Sequence, residues 1–116
     1  MTVKFTDPCN QGELRFYRLP DKTVIPKDAK KLASKDGKVI VGHSETGHHH
    51  VMTAERTEVY QLPNNLLECL IVVRDPDELT HLRDFDQHES IRFEPGKYRM
   101  RRLREYIPDG FRAQQD

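Results

Sequence analysis

The chain has 116 residues, of which 35% are hydrophobic and 33% are charged, so it has the length of one domain with a thin core. Its 19 basic and 19 acidic residues cancel, which argues against a protein-wide field that attracts nucleic acid but leaves room for a local basic patch. No stretch approaches the roughly 18 apolar residues that span a bilayer, and the amino terminus has no signal-peptide pattern. We therefore expect a cytoplasmic protein without a membrane partner, although one disulfide between Cys9 and Cys69 stays open.

Short segments with strand patterns, separated by turn residues, follow one another along the chain. We predict a flexible arm over residues 1–12, a single β domain over 13–108 and a flexible tail over 109–116. No long apolar stripe has helical spacing, so residues 76–88 hold at most one short helical turn. The predicted fold class is therefore all-β, a single small β-sandwich or barrel. The predicted strands are residues 14–19, 38–42, 48–53, 58–62, 66–73, 91–93 and 98–107.

Histidine is the unusual feature of the composition, since four of the six histidines fall within eight consecutive positions. Gly42 precedes this cluster and Gly47 lies within it, and each glycine would let the backbone approach a neighbour closely or adopt a positive φ. In an extended chain His48 and His50 point to one face and His49 to the other. His48 and His50 can therefore bind a single metal ion.

A second pair, His81 and His88, lies further along the chain. Together the two pairs would supply three or four nitrogen ligands to a divalent transition metal such as Zn, Fe, Mn or Ni. Three ligands with open positions favour catalysis, with Glu45 or Glu89 as proton acceptor, and four ligands favour a structural role. His43 is equally a further ligand or a surface residue, and histidines in a polar loop are often simply solvated.

The first histidine segment resembles the first motif of the cupins, in which a glycine precedes His-x-His and a glutamate follows. The corresponding residues are Gly42, His48, His50 and Glu55. The second cupin motif has a histidine after a Pro-x-Gly element, whereas no histidine follows Pro95-Gly96. The resemblance implies a cupin-like set of metal ligands and does not extend to cupin topology.

Over about residues 37–107 the chain also resembles a family of small phage and prophage proteins for which we know no established activity. The resemblance implies a protein of phage or prophage type and strengthens the histidine site, without implying a reaction. The matching residues are Thr46-Gly47-His48-His49-His50, Leu79-Thr80-His81, His88, and Pro95-Gly96-Lys97-Tyr98-Arg99 with Arg102, Arg104, Glu105 and Tyr106.

Four arginines fall within six residues of the last predicted strand. On a strand, Arg102 and Arg104 share one face with Tyr98, while Arg99 and Arg101 share the other. Beside a metal, Arg102 and Arg104 would bind an anionic small molecule through their guanidinium groups. Two alternatives stay open. In the first, Arg99 and Arg101 are solvated charges at a sheet edge, and Arg102 or Arg104 forms an internal ion pair. In the second, the strand contacts single-stranded nucleic acid.

Three functions are compatible with these patterns. The first is a metal-dependent enzyme that acts on an anionic substrate. The second is a non-enzymatic accessory or interaction protein with a structural metal or none, able to bind a further copy of itself. The third is a nucleic-acid-binding module, against which the zero net charge counts.

Overall fold

The computed structural model describes residues 2–43, 49–63, 65, 67–81 and 89–103, and the strands found there are short. Alternating apolar and polar side chains between turn residues favour extended structure in most of them. Their bounds are β1 Thr2–Lys4, β2 Cys9–Gln11, β3 Leu14–Leu19, β4 Lys30–Lys31, β5 Lys38–Gly42, β6 His50–Thr53, β7 Thr57–Gln61, β8 Glu68–Val73, β9 Asp77–His81, β10 Ser90–Phe93 and β11 Gly96–Arg102.

The strands form two sheets. The five-stranded sheet has the order β1-β10-β9-β6-β5, and the six-stranded sheet has the order β2-β3-β11-β8-β7-β4. β1 runs parallel to β10, while the other pairs are antiparallel. The all-β prediction is confirmed, and because two sheets share one core, the architecture is a β-sandwich. Over the described residues, no helix combines the length and apolarity needed to cross a bilayer.

The core lies between the sheets and receives side chains from both. Phe93 of β10 is fully buried at its centre, with its ring centroid 4.8 Å from Tyr98, 5.3 Å from Phe16 and 5.1 Å from Phe5. Each fully buried apolar side chain contributes about 1.5–3 kcal/mol. The other buried members include Leu14, Val39, Val41, Met52, Val59, Cys69, Ile71, Val73, Leu79, Ile91 and Met100.

The structure differs from the sequence prediction in the first residues and adds detail in two other parts of the chain. Residues 1–12 are not a loose arm, because β1 pairs with β10 and β2 pairs with β3. Within residues 76–88, where at most one short helical turn is predicted, Asp77–His81 forms strand β9, and residues 82–88 lie outside the described residues. β11 ends at Arg102, and the predicted tail over 109–116 also lies outside the described residues.

Gly42, at the end of β5, is a place where the two sheets approach closely. A Cβ at this position would clash with Leu14 Cδ1, and it would lie 3.0 Å from Cδ2 and 3.2 Å from Cγ of the same side chain. Leu14 belongs to the opposite sheet and is fully buried. The close backbone approach predicted for Gly42 is therefore present, whereas Gly47 lies outside the described residues.

Replacing Gly42 by alanine is expected to lower the free energy of unfolding by about 1–3 kcal/mol, because the added methyl group overpacks a buried contact. Urea denaturation measures the loss. In a double-mutant cycle, Leu14→Ala should cost at least about 1 kcal/mol less in the Gly42→Ala background than in the wild type.

Gly37→Ala is the matched control. Gly37 has a φ of 76°, and nothing lies within 4 Å of a Cβ built there, so alanine is strained by the backbone alone. The cost of Gly37→Ala should not change when Leu14 is shortened. Additive effects of Gly42→Ala and Leu14→Ala would show that their contact does not limit the approach of the sheets.

Candidate metal centre

Two histidines from distant parts of the sequence lie side by side at one end of the sandwich. His50 begins β6, His81 ends β9, and the two are direct cross-strand partners. Both are buried, with exposed fractions of 4% and 7%. Their ring centroids are 4.0 Å apart and their planes differ by 6°. The structure thus brings together one candidate ligand from each histidine segment, and we call His50 and His81 the histidine pair.

Gln11 of β2 reaches across from the opposite sheet and contacts the histidine pair. Its Nε2 donates to the backbone oxygen of Leu79 at 3.1 Å and to that of Glu89 at 2.9 Å. Its Oε1 lies 2.7 Å from Nδ1 of His50. If the amide were flipped, its Oε1 would face the backbone oxygens of Leu79 and Glu89, and three acceptors would meet with no hydrogen between them. The orientation of the Gln11 side chain is therefore determined by its surroundings.

This orientation also determines which nitrogen of His50 carries hydrogen. The Oε1 atom of Gln11 only accepts, so Nδ1 of His50 is the donor. In the neutral ring the lone pair then lies on Nε2. A histidine that binds a metal usually donates its other ring N–H to an oxygen of this kind, which orients the ring and raises its basicity. Gln11 and His50 thus have the arrangement of a metal ligand and its supporting partner.

The other predicted site residues are only partly described. Glu89 is exposed, and its backbone carbonyl accepts a hydrogen bond from Gln11. Over the described ranges, no three His, Cys, Asp or Glu side chains are grouped closely enough to hold a metal ion. The predicted residues that lie outside these ranges are His48, His88, Glu45 and Arg104.

A family model for a domain of unknown function, DUF8820, matches residues 10–103. The chain belongs to the DUF8820 family. No curated protein and no solved structure matches it. The matched span begins within β2 and ends one residue after β11, so the DUF8820 domain contains the histidine pair, Gln11 and Arg102.

Arg102 of the DUF8820 domain is largely buried by its neighbours, with a side chain 9% exposed. Its Nη2 donates to the backbone oxygen of His43 at 2.6 Å, and its Nη1 lies 3.7 Å from Oε2 of Glu13. These contacts agree with the alternative in which Arg102 forms an internal ion pair. Tyr98 and Met100, on the same face of β11, are core residues. The face predicted to bind an anion therefore points into the sandwich over its described part.

His43 and His49 form a second contact between imidazoles, with ring centroids 4.8 Å apart and planes at 71°. Desolvation, the nearby His49 and the Arg102 guanidinium lower the pKa of His43 below its ordinary value. The neutral form of His43 is therefore favoured in the folded DUF8820 domain.

The two cysteines of the chain are far apart within one sheet. Cys9 pairs with Phe16, Phe16 with Met100, and Met100 with Cys69, so three strand spacings of about 4.8 Å separate the thiols. A disulfide needs Cα atoms within about 7 Å, which excludes the bond that the sequence left open. Burial raises the pKa of Cys69 to about 12, so this thiol stays protonated in the folded core.

Gln11 is the functional residue that sequence reasoning missed. It was assigned to the flexible arm, yet it is 2% exposed. The glycine at position 12, between two short alternating segments, is a hairpin signal that could have revealed β2. Nothing in the sequence marks this glutamine as the partner of a histidine almost 40 positions away, because that contact depends on how the two sheets face each other.

Proposed function

We propose that this DUF8820 domain binds a divalent transition metal ion through the histidine pair. The observation that carries the proposal is the buried, nearly parallel stack of His50 and His81, with Nδ1 of His50 held by Gln11. Imidazole nitrogen is a good ligand for Zn, Fe, Mn and Ni, and the supporting hydrogen bond is the type that metal-bound histidines use.

The two rings are close enough to share an ion once they leave the stacked orientation. Two nitrogens bound to one zinc ion at about 2.0–2.1 Å, with tetrahedral angles, stand about 3.3 Å apart. The ring centroids are 4.0 Å apart and the planes are nearly parallel, whereas a bound ion lies in the plane of each imidazole. Shared binding therefore requires the two rings to rotate away from the stack by tens of degrees, so that their lone pairs converge. A complete shell needs more than two protein ligands, and His48 and His88 are the residues that the sequence predicts for the remaining positions.

A metal that joins strands is favoured over one that acts on an anionic substrate. Arg102, the described arginine proposed to hold such a substrate, already contacts His43 and Glu13. A thin core also gains from a metal that cross-links it. We therefore propose an accessory or interaction domain with a structural metal. Its phage or prophage type, its cytoplasmic location and its self-association stay predictions.

Loss of His81 is expected to weaken metal binding at least 100-fold, which exceeds the 10–100-fold typical of a supporting residue. His81→Phe is the sharpest variant, because a phenyl ring keeps the stack on His50 but has no ligand nitrogen. Isothermal titration of the untagged protein with Zn²⁺, and the visible spectrum of bound Co²⁺, measure affinity and ligand set. His48→Ala and His88→Ala test the two ligands predicted from the sequence.

His49→Ala is the matched control, because it removes a neighbouring imidazole that the proposal does not use. This variant should bind metal as the wild type does. If His81→Phe and His50→Ala both keep the wild-type metal content while remaining folded by circular dichroism, the histidine pair is not a metal centre.

A further inference from the structure

The outer face of the six-stranded sheet has a cluster of arginines around one tyrosine. Arg15 and Tyr17 come from β3, and Arg99 and Arg101 come from β11. They alternate with the core residues of these strands, so they point away from the core. We call these four residues the arginine–tyrosine face. It uses residues on the opposite side of β11 from Arg102.

Two of its arginines are unfavourably placed in the isolated protein. Arg15 and Arg101 are direct cross-strand partners, and like charges directly opposite each other destabilise a sheet. In the part of the chain that the structure describes, neither makes an ion pair with an acidic side chain. Nε of Arg15 is buried and has no hydrogen-bond partner there. An anion between the two guanidinium groups would relieve both features.

Tyr17 lies beside this positive charge. Arg99 is its cross-strand partner, with Cζ 5.0 Å from the ring centroid, and Cζ of Arg15 lies 5.8 Å from the same centroid. An opposite charge on this face comes from Glu68, which is the cross-strand partner of Arg101 in β8 and lies 3.3 Å from Nε of Arg99. Three guanidinium groups against one carboxylate leave two positive charges on this face of a protein whose formal net charge is zero.

We propose that the arginine–tyrosine face binds single-stranded nucleic acid. Arg15 and Arg101 would hold a backbone phosphate by charge-assisted hydrogen bonds, and a base would stack on the layer formed by Tyr17 and Arg99. A sheet surface with an aromatic ring between arginines offers stacking and charge together. An acidic peptide would use the charge alone. Binding of this kind depends little on base sequence, because stacking and phosphate contacts do not read base edges.

The test is fluorescence anisotropy with labelled 12-nucleotide oligo-dT and oligo-U, which distinguish DNA from RNA. The two arginines that contact phosphate predict a salt slope of about −1.4, so the affinity should fall about 7-fold between 50 and 200 mM salt. Arg101→Gln should reduce the slope by about 0.7. Tyr17→Ala should weaken binding about 10-fold, and Tyr17→Phe should not, because stacking needs the ring and not the hydroxyl.

Arg92→Gln is the matched control. Arg92 is an exposed arginine of β10 in the other sheet, so its replacement removes the same charge from the opposite face. It should leave the affinity unchanged. Equal weakening by Arg92→Gln and Arg101→Gln would overturn the proposal. So would binding of poly-glutamate as tight as that of the oligonucleotides, because it would show attraction without stacking. Arg101 is exposed, so Arg101→Gln remains a valid test if Tyr17→Ala fails to fold.

Discussion

Replacing Gln11 by leucine is expected to lower the free energy of unfolding by about 3 kcal/mol. The substitution leaves the backbone oxygens of Leu79 and Glu89 and Nδ1 of His50 without their present partner. A group left unsatisfied in a buried environment costs about 1–3 kcal/mol, and leucine offers no hydrogen bond in return. Chemical denaturation measures the loss. The same variant should weaken metal binding 10–100-fold, because His50 would lose the contact that sets its tautomer and orientation.

Gln11→Glu separates the structural role of this residue from its role toward His50. A carboxylate cannot donate to the two carbonyl oxygens, so stability should fall as in Gln11→Leu. It still accepts from Nδ1 of His50, so metal affinity should be kept or increased. Asn10→Leu is the control, since Asn10 is the exposed amide next in the chain. Equal metal affinity in Gln11→Leu and the wild type would refute the role of Gln11 toward His50.

The strands that the sequence predicts well have a strong hydrophobic pattern between turn residues. The predicted bounds 14–19 and 38–42 agree with β3 and β5, and the predicted strand over 58–62 is β7 shifted by one position. In β3 and β5 the buried side chains are apolar, so burial and hydrophobicity give the same alternation. In β7 the buried residues are Thr57 and Val59, and the predicted strand begins one position after the polar Thr57.

In the strands that the sequence analysis missed, buried positions and hydrophobic positions do not coincide, for two reasons. β1, β2 and β4 are edge strands of two or three residues, and their conformation comes from pairing with a neighbour rather than from their own pattern. β9 is longer, but two of its three buried residues are Asp77 and His81. Because polar side chains occupy the inner positions, the alternation of β9 is invisible on a hydrophobicity scale.

The candidate site was likewise only partly predictable. The histidine pattern and the family resemblance predicted that the segments of His50 and His81 would meet, and the structure places these two side chains in contact. The sequence did not reveal that Arg102 would be engaged by His43 and Glu13, because its hydrogen bond and weak ion pair depend on tertiary packing. The same is true of Tyr17 beside Arg99, since the tyrosine comes from a strand about 80 positions earlier.

Asp77, the buried polar residue at the other end of β9 from His81, is expected to contribute about as much to stability as Gln11 does. Asp77 is 6% exposed, and its Oδ2 accepts from the backbone N–H of Thr53 at 2.8 Å and from Oγ1 of Thr57 at 2.7 Å. Its Oδ1 accepts from the backbone N–H of Glu78 at 2.9 Å. The backbone pairing of β6 with β9 covers only His50 and Val51 on the β6 side. The Asp77 side chain therefore joins the two strands where their backbones no longer pair.

Asp77→Ala is expected to cost about 3 kcal/mol, because it leaves the N–H of Thr53 and the hydroxyl of Thr57 without their charged acceptor. Asp77→Asn keeps one acceptor oxygen and should cost about half as much. Asp21→Ala is the control, because that side chain is 84% exposed and should change stability by less than about 0.5 kcal/mol. Thermal denaturation in the presence and absence of Zn²⁺ should show the same loss for Asp77→Ala, since this residue lies at the opposite end of β9 from His81. A loss that disappears with Zn²⁺ would instead mean that Asp77 acts through the histidine pair.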